Sequence, residues 1–301
     1  MEAYVHGVST RSVDDLVKAL GPDTGVSKSE VSRICADLDE QLTAFRTRPL
    51  GHTRFPHVYL DATYCKARVN HQTVSRAVVV ATGITEDGGR EVLGLMVGDS
   101  ESEAFWSEFL RPLRERGLSG VRLVIGDHHS GLAKAIRKVM LGAAYQRCRV
   151  HFLRNTFAVI PKGAAEMVAA TIRTVFAQPT ADAVRTQLDT VADMPGKQFP
   201  KVRNMLLEAK DDLTAFAALP DRHWKKIQST NPLERINREI KRRTDVVQVF
   251  PNDDALLRLV TAVLFEMHDE RIAFARRYLP EGSMDQIYLN EAGHDELPPA
   301  P

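Results

Sequence analysis

At a prior of about 150 residues per domain, a chain of 301 residues is long enough for two domains and a substantial buried core. Its 44% hydrophobic and 26% charged residues lie near the average for globular folds and exclude disordered, collagen-like and disulfide-scaffold classes. No apolar run reaches the ~18 residues of a membrane span, MEAYVHGVSTR lacks the regions of a signal peptide, and Cys35, Cys65 and Cys148 are too few and too scattered for a disulfide framework; the expected address is cytoplasmic.

In chain order, Val8 to Phe45 reads as two short helices, SVDDLVKAL and SKSEVSRICADLDEQL, joined by the turn GPDTG. This is the grammar of a helix-turn-helix, and equally of a plain helical hairpin. Ser27, Lys28 and Ser29 start the second helix, with Arg33 one turn on, where a recognition helix meets a major groove. A Pro/Gly/Arg-rich connector follows. VYLDATY, TVSRAVVVAT and REVLGLMVG are β-branched apolar runs separated by turn signals, a meander of three strands. SEAFWSEFLRPLRERG reads as an amphipathic helix, VRLVIGD as a buried strand, GLAKAIRKVM as a helix and AYQRCRV as a last strand. The order βββαβαβ implies one mixed five-stranded sheet flanked by helices, with right-handed crossovers setting the fourth strand beside the first.

Beyond His151 strand signals stop. AAEMVAATIRTVF, ADAVRTQLDTVAD and FPKVRNMLLEAKDDLTAF form an all-helical insertion, STNPLERINREIKRR opens a further helix, and DDALLRLVTAVLFEMHDERIAFARRYL makes a long one. The expected organisation is a helical segment at 1–50, a first core part at 56–155, the insertion at 156–226, a second core part at 227–280 and an acidic, Pro-containing tail at 281–301. Charge is uneven: Arg222 to Arg243 holds eight Lys or Arg against two acids, whereas the overall balance is only +1.

Asp61 sits inside an apolar strand, where a carboxylate is costly to bury without a partner or a cation. Asp127 ends the next crossover strand. On neighbouring strands the two converge at one end of the sheet, where ligands bind in open α/β folds, and two hard oxygen donors there suit Mg²⁺ or Mn²⁺. Glu234 has two readings. Asn231, Pro232 and Glu234 fit the N-cap, N1 and N3 of a capping box, and the same helix carries a basic stripe through Arg238, Lys241 and Arg242 that suits phosphate-backbone chemistry. Cys148 and His151 form a C-x-x-H pair, half of a zinc site that His128 and His129 would have to complete. His6, His52, His57 and His71 read as polar loop residues.

LDATY, GDHHSGL, QRCRVHFLRN and STNPLERINREIKRRTDVVQVFPN, in this order, together with VSTRSVDDLV, SKSEVSRIC, SRAVVVATG, SEAFWSEFL and the closing RRYL, closely resemble the Mutator-type bacterial insertion-sequence transposases over nearly the whole chain. The resemblance implies an RNase H-like core with a DDE triad, Asp61, Asp127 and Glu234 occupying its acidic positions and holding two Mg²⁺ or Mn²⁺ ions for phosphodiester cleavage and strand transfer. It implies DNA as partner, both terminal inverted repeats and target, in a homodimer or larger assembly at the nucleoid. Arg147, Arg149, Asn231, Arg235, Arg238, Lys241, Arg242 and Arg243 would meet backbone phosphates, and Ser27 to Arg33 the element's ends. Cys148 and His151 match the family's Cys/His motif, implying a positioning role rather than zinc binding. Family members extend further at the N-terminus, so part of the DNA-binding region is expected upstream. Gly126, His128, Gln228, Gln248 and Arg271 depart from the family's usual residues. The rival expectations are a stand-alone RNase H-like nuclease and an inactive DNA-binding remnant.

Overall fold

The computed structural model describes residues 28–98, 102–196, 198–273, 277–280 and 282–292. Ser27 and the first expected N-terminal helix lie outside the described residues. Helix α1, Lys28–Thr47, buries Leu38 and Leu42 against Ala262, and its Asp39 pairs with Arg258 at 2.6 Å.

Strands β1, His57–Val69, and β2, Gln72–Ile84, pair antiparallel along their whole length. The two-residue turn between them has φ of 50° at Asn70 and 65° at His71, the left-handed pair that suits the twist of a tight hairpin. Strand β3, Arg90–Gly98, adds antiparallel to β2. After α2, Glu103–Glu115, strand β4, Leu123–Gly126, lies parallel to β1; after α3, Ser130–Val139, strand β5, Ala144–Arg147, lies parallel to β4. The fourth strand thus sits beside the first, as the crossover rule requires.

The sheet has six strands rather than the expected five. Its order is β3-β2-β1-β4-β5, and β6, Val249–Phe250, pairs in parallel with β1 at Lys66 and Ala67. Two residues are too few to leave a period-2 pattern. Because β2 occupies one edge of β1 throughout, β4 and β6 share the other, pairing at His57 to Tyr59 and at Lys66 to Ala67. Between them, the Leu60–Cys65 stretch has no strand neighbour on that edge among the described residues, and the site lies there.

Side chains alternate across the sheet and feed two cores. Val58, Leu60, Val79, Leu93 and Val124 pack under α2 and α3, which contribute Phe105, Phe109, Leu110 and Ile136. Tyr59, Val78, Val80, Leu123 and Ile125 face the second helical layer. That layer runs through α4 (Arg149–Phe157), α5 (Ala165–Arg173), α6 (Ala181–Gly196), α7 (Pro200–Glu208), α8 (Lys210–Thr214) and α9 (Asp221–Ile227). It continues with α10 (Asn231–Val247) and α11 (Asp253–Ala273). Helix α4 takes Arg149 and Val150 from the expected last strand. The buried Gln146 amide fastens β5 to this layer, donating to Arg147 O and Leu213 O and accepting from Phe216 N.

The segment expected as a tail contains α12, Asp285–Ala292, with Met284 and Ile287 buried. Gly88 makes the docking possible: its φ is +82°, and a Cβ there would come within 2.5 Å of Leu279 O. Its carbonyl accepts from Tyr278 N at 2.7 Å.

Candidate active site

Asp61 lies in the stretch of β1 where β4 has diverged. One carboxylate oxygen accepts from Asn237 Nδ2 at 2.8 Å, the other from Ala62 N at 3.0 Å. Asp127 follows the last residue of β4; its Oδ1 accepts from His128 N at 2.6 Å and stands 3.7 Å from His151 Nδ1. Tyr145 steadies this strand end by donating its hydroxyl to Asp127 O at 2.6 Å. Both aspartates line one cleft of about 230 Å³. Burial pushes the Asp61 carboxyl up to about 6; Asp127 adds to the rise, and His151, the Ala62 N–H and Asn237 oppose it. A half-desolvated carboxylate beside a second one is a pair whose repulsion a cation would relieve.

Cys148 and His151 stand beneath this cleft. The Cys148 sulfur accepts from Thr230 N at 3.4 Å and Thr230 Oγ1 at 3.5 Å. Burial pushes its thiol up, but the His151 hydrogen bond and charge, with Thr230, outweigh that and leave it lowered. His151 is raised to about 9, first by its hydrogen bond with Cys148 and then, against burial, by the charges of Cys148, Asp127 and Asp61. His151 thus holds its proton more readily than a free imidazole, with Nδ1 3.7 Å from Asp127. Among the described residues no three His, Cys, Asp or Glu side chains gather as a metal-binding group, the set Asp61, Asp127 and Glu234 included, and the Cys148 sulfur is engaged by Thr230.

The capping box at Asn231 and Glu234 does not form. Thr230 is the N-cap, without a side-chain cap bond, and Asn231 is the first helical residue; the Thr230 hydroxyl goes to Cys148 instead. Glu234 is left exposed, one turn before Asn237 and hence on the helix face that reaches Asp61. The start of α10 is tied to β5 and α4 a second time, since Arg149 N donates to Gln228 O at 3.0 Å and Arg149 Nη1 to Gln228 Oε1 at 2.7 Å.

The expected phosphate contacts separate into groups. Asn231, Arg235 and Arg238 are exposed on α10. Arg242 is exposed but bonded to Glu239 through two nitrogens, at 2.7 and 2.9 Å. Lys241 donates to Tyr64 O. Arg243 is a correction: it is buried and bound to Glu239 at 2.7 Å and Glu266 at 3.3 Å, so it joins α10 to α11 instead of facing a backbone phosphate. Arg149 serves Gln228, as above. Arg147 is buried, its guanidinium 4.7 Å from the Phe152 ring centre. Lys28 and Ser29 begin α1, and Arg33 is exposed on it.

His57 corrects another expectation. It is fully buried, its Nε2 lies 3.0 Å from His223 Nδ1, and His223 Nε2 lies 3.0 Å from Ser283 Oγ, which donates to Pro280 O. That last donation fixes the chain's direction: His223 donates to Ser283 and His57 donates to His223. Burial, then the neighbouring His223, lowers His57 to about 3; burial lowers His223 to about 4.

The sequence over residues 1–273 matches the family described as "Transposase, Mutator family". The chain belongs to the Mutator family of transposases. Among curated relatives, the transposase for insertion sequence element IS1081 of Mycobacterium tuberculosis is 45% identical over 92% of this chain and 66% of its own length. The transposase for IS406 of Burkholderia multivorans is 43% identical over 89% of this chain and 69% of its own. That for IS256 in transposon Tn4001 of Staphylococcus aureus is 36% identical over 93% and 72%. This family member thus spans about two thirds of the length of these relatives. A solved structure, the Drosophila P element transposase strand transfer complex, covers 96% of this chain and 84% of its own with a TM-score of 0.34 and 12% identity, too distant a likeness to carry an argument. No helix among the described residues is long and apolar enough to cross a membrane.

Proposed function

We propose that this chain is a DDE transposase of an insertion sequence. In this reading an RNase H-like core cleaves DNA at the element's terminal inverted repeats and joins the freed ends to target DNA. The convergence of Asp61 and Asp127 where β1 and β4 part, with the Glu234 helix bonded to Asp61 through Asn237, is the observation that carries it. The carboxylate oxygens suit Mg²⁺ or Mn²⁺, and the burial and like-charge repulsion that raise Asp61 are what a divalent cation offsets. Asp61, Asp127 and Glu234 would hold two such ions. Bound there, they supply activation of water or of a DNA 3′-hydroxyl and stabilisation of the leaving oxygen.

The chain's own residues do the rest. Asn237 fixes the rotamer of Asp61, Tyr145 fixes the end of β4, and the His151 imidazolium holds positive charge behind both carboxylates. Thr230 and Gln228 anchor the start of α10 so that Glu234 enters from a set direction. Arg235 and Arg238 supply charge for the DNA backbone, and the Ser27 to Arg33 segment, expected from the sequence to belong to a helix-turn-helix, contacts the element's ends. Two ends held together call for a dimer or larger assembly on DNA.

The test is Mg²⁺- or Mn²⁺-dependent cleavage and strand transfer on DNA carrying the flanking element's ends, comparing the parent with Asp61→Ala, Asp127→Ala and Glu234→Ala. Loss of both steps in all three variants is expected. Cleavage without joining would mean a nuclease, and DNA binding without turnover in the parent would mean a remnant.

A further inference from the structure

Tyr64 is three residues beyond Asp61 on β1, and its side chain is 50% exposed. It lines two neighbouring clefts at once. One is the 230 Å³ cleft of Asp61 and Asp127; the other is a groove of about 410 Å³ that includes Lys66 and Lys241. The first is below the roughly 300–1,000 Å³ of ordinary ligand pockets, a space for one ring system. Its floor includes Trp106, whose indole N–H is buried and meets no acceptor among the described residues. Lys241 donates one of its three ammonium hydrogens to Tyr64 O, leaving two for other acceptors, and Lys66 is exposed. A protruding aromatic between a small cleft and a groove lined by two lysines against one carboxylate, Asp245, matches the chemistry of single-strand recognition, in which bases stack on rings and cations follow the phosphates.

We infer that Tyr64 is a stacking platform for an unpaired DNA base that leaves the duplex beside the reacting phosphate, with Lys66 and Lys241 taking the phosphates of the strand that runs on from it. The inference rests on the transposase reading for its substrate and deepens it. A base reaches such a seat only by leaving the stack, and that cost is least where the base is already mispaired. Tyr64 is therefore a positioning residue whose loss hurts paired ends more than frayed ones.

Two measurements on the full chain test this. Binding to oligothymidylate, followed without metal, is expected to weaken about 5- to 140-fold in Tyr64→Ala, the range of one lost base stack, and to stay near the parent value in Tyr64→Phe. Nicking of a fully paired element end is expected to fall in Tyr64→Ala and to recover when the terminal bases are mispaired. Unchanged oligothymidylate binding in Tyr64→Ala, or equal losses on paired and mispaired ends, would overturn the inference. A parent that nicks and joins ends while Tyr64→Ala behaves identically would overturn it and leave the transposase reading standing. A parent that binds oligothymidylate through Tyr64 but never nicks would do the reverse.

Discussion

The two faces of the sheet use burial differently. Under α2 and α3, contact is made by Phe105, Phe109, Leu110, Leu113, Leu132 and Ile136 against Val58, Leu60, Val79 and Leu93, and apolar packing sets the fit, with Tyr145 of the same cluster donating to Asp127 O. On the other face, His57, Gln146, Cys148, His223 and Arg243 are buried among the apolar residues, each bonded to another element of the chain. Buried polar groups are costly unless bonded, so they accumulate where geometry must be held: His57 and His223 hold the Pro280–Ser283 turn, Gln146 holds the insertion, and Cys148 holds the start of the Glu234 helix. One face is held chiefly by apolar packing; the other carries most of the buried bonds that aim the site.

That contrast can be broken from either side. The largest stability effect is expected from Leu110→Ala on the apolar face, about 2–5 kcal/mol, read as a lower urea midpoint with activity per folded molecule unchanged. Asn237→Ala on the other face should do the opposite: rate falls by about 10²-fold through loss of Asp61 positioning, while stability changes by only about 1 kcal/mol. A large stability loss with normal activity per folded molecule would reverse the roles of the faces.

Acid should act on the second face first. His57 and His223 are neutral when folded, with values of about 3 and 4 against an ordinary 6.5. The unfolded chain therefore binds more protons below pH 6.5. Stability is full above 6.5 and falls as pH drops towards 4 and 3, at up to about 1.4 kcal/mol per pH unit for His57. Urea midpoints at pH 7 and 5 should draw together in His57→Leu relative to the parent. The smallest effect belongs to Glu239→Gln. Hydrogen bonds from Arg242 and, despite some burial, Arg243 hold this carboxyl at about 2 against 4.5, so its contribution is complete above pH 4.5 and is lost as pH falls through 2. At neutral pH the change should stay within about 1 kcal/mol, because Arg243 keeps Glu266; denaturation at pH 7 and 3 separates the two terms.

Much of this was legible in local pattern. The meander, the two crossovers and the pairing of Asp61 with Asp127 follow from period-2 apolar runs and from a charge where none belongs. What escaped is pairing across the chain. Asn237 meets Asp61, and His57 meets His223, over more than 160 positions of sequence, and nothing near either residue announces a partner. The capping box failed for the same reason: N-P-L-E has the right local letters, but Thr230 is drawn to Cys148. Strand β6 was invisible because its register is set by β1 and not by its own two residues. Arg243 was expected to meet a backbone phosphate because only the docking of α11 brings Glu266 to it.

The central claim is that Asp61 and Asp127 act as one cation-holding pair on the polar face of the sheet. Mn²⁺ binding, followed by electron paramagnetic resonance of the free ion without DNA, tests this most directly. The account predicts binding by the parent that is weakened in Asp61→Asn and in Asp127→Asn, with Leu110→Ala binding normally wherever it is folded. Equal Mn²⁺ binding by the parent and both aspartate variants would contradict it.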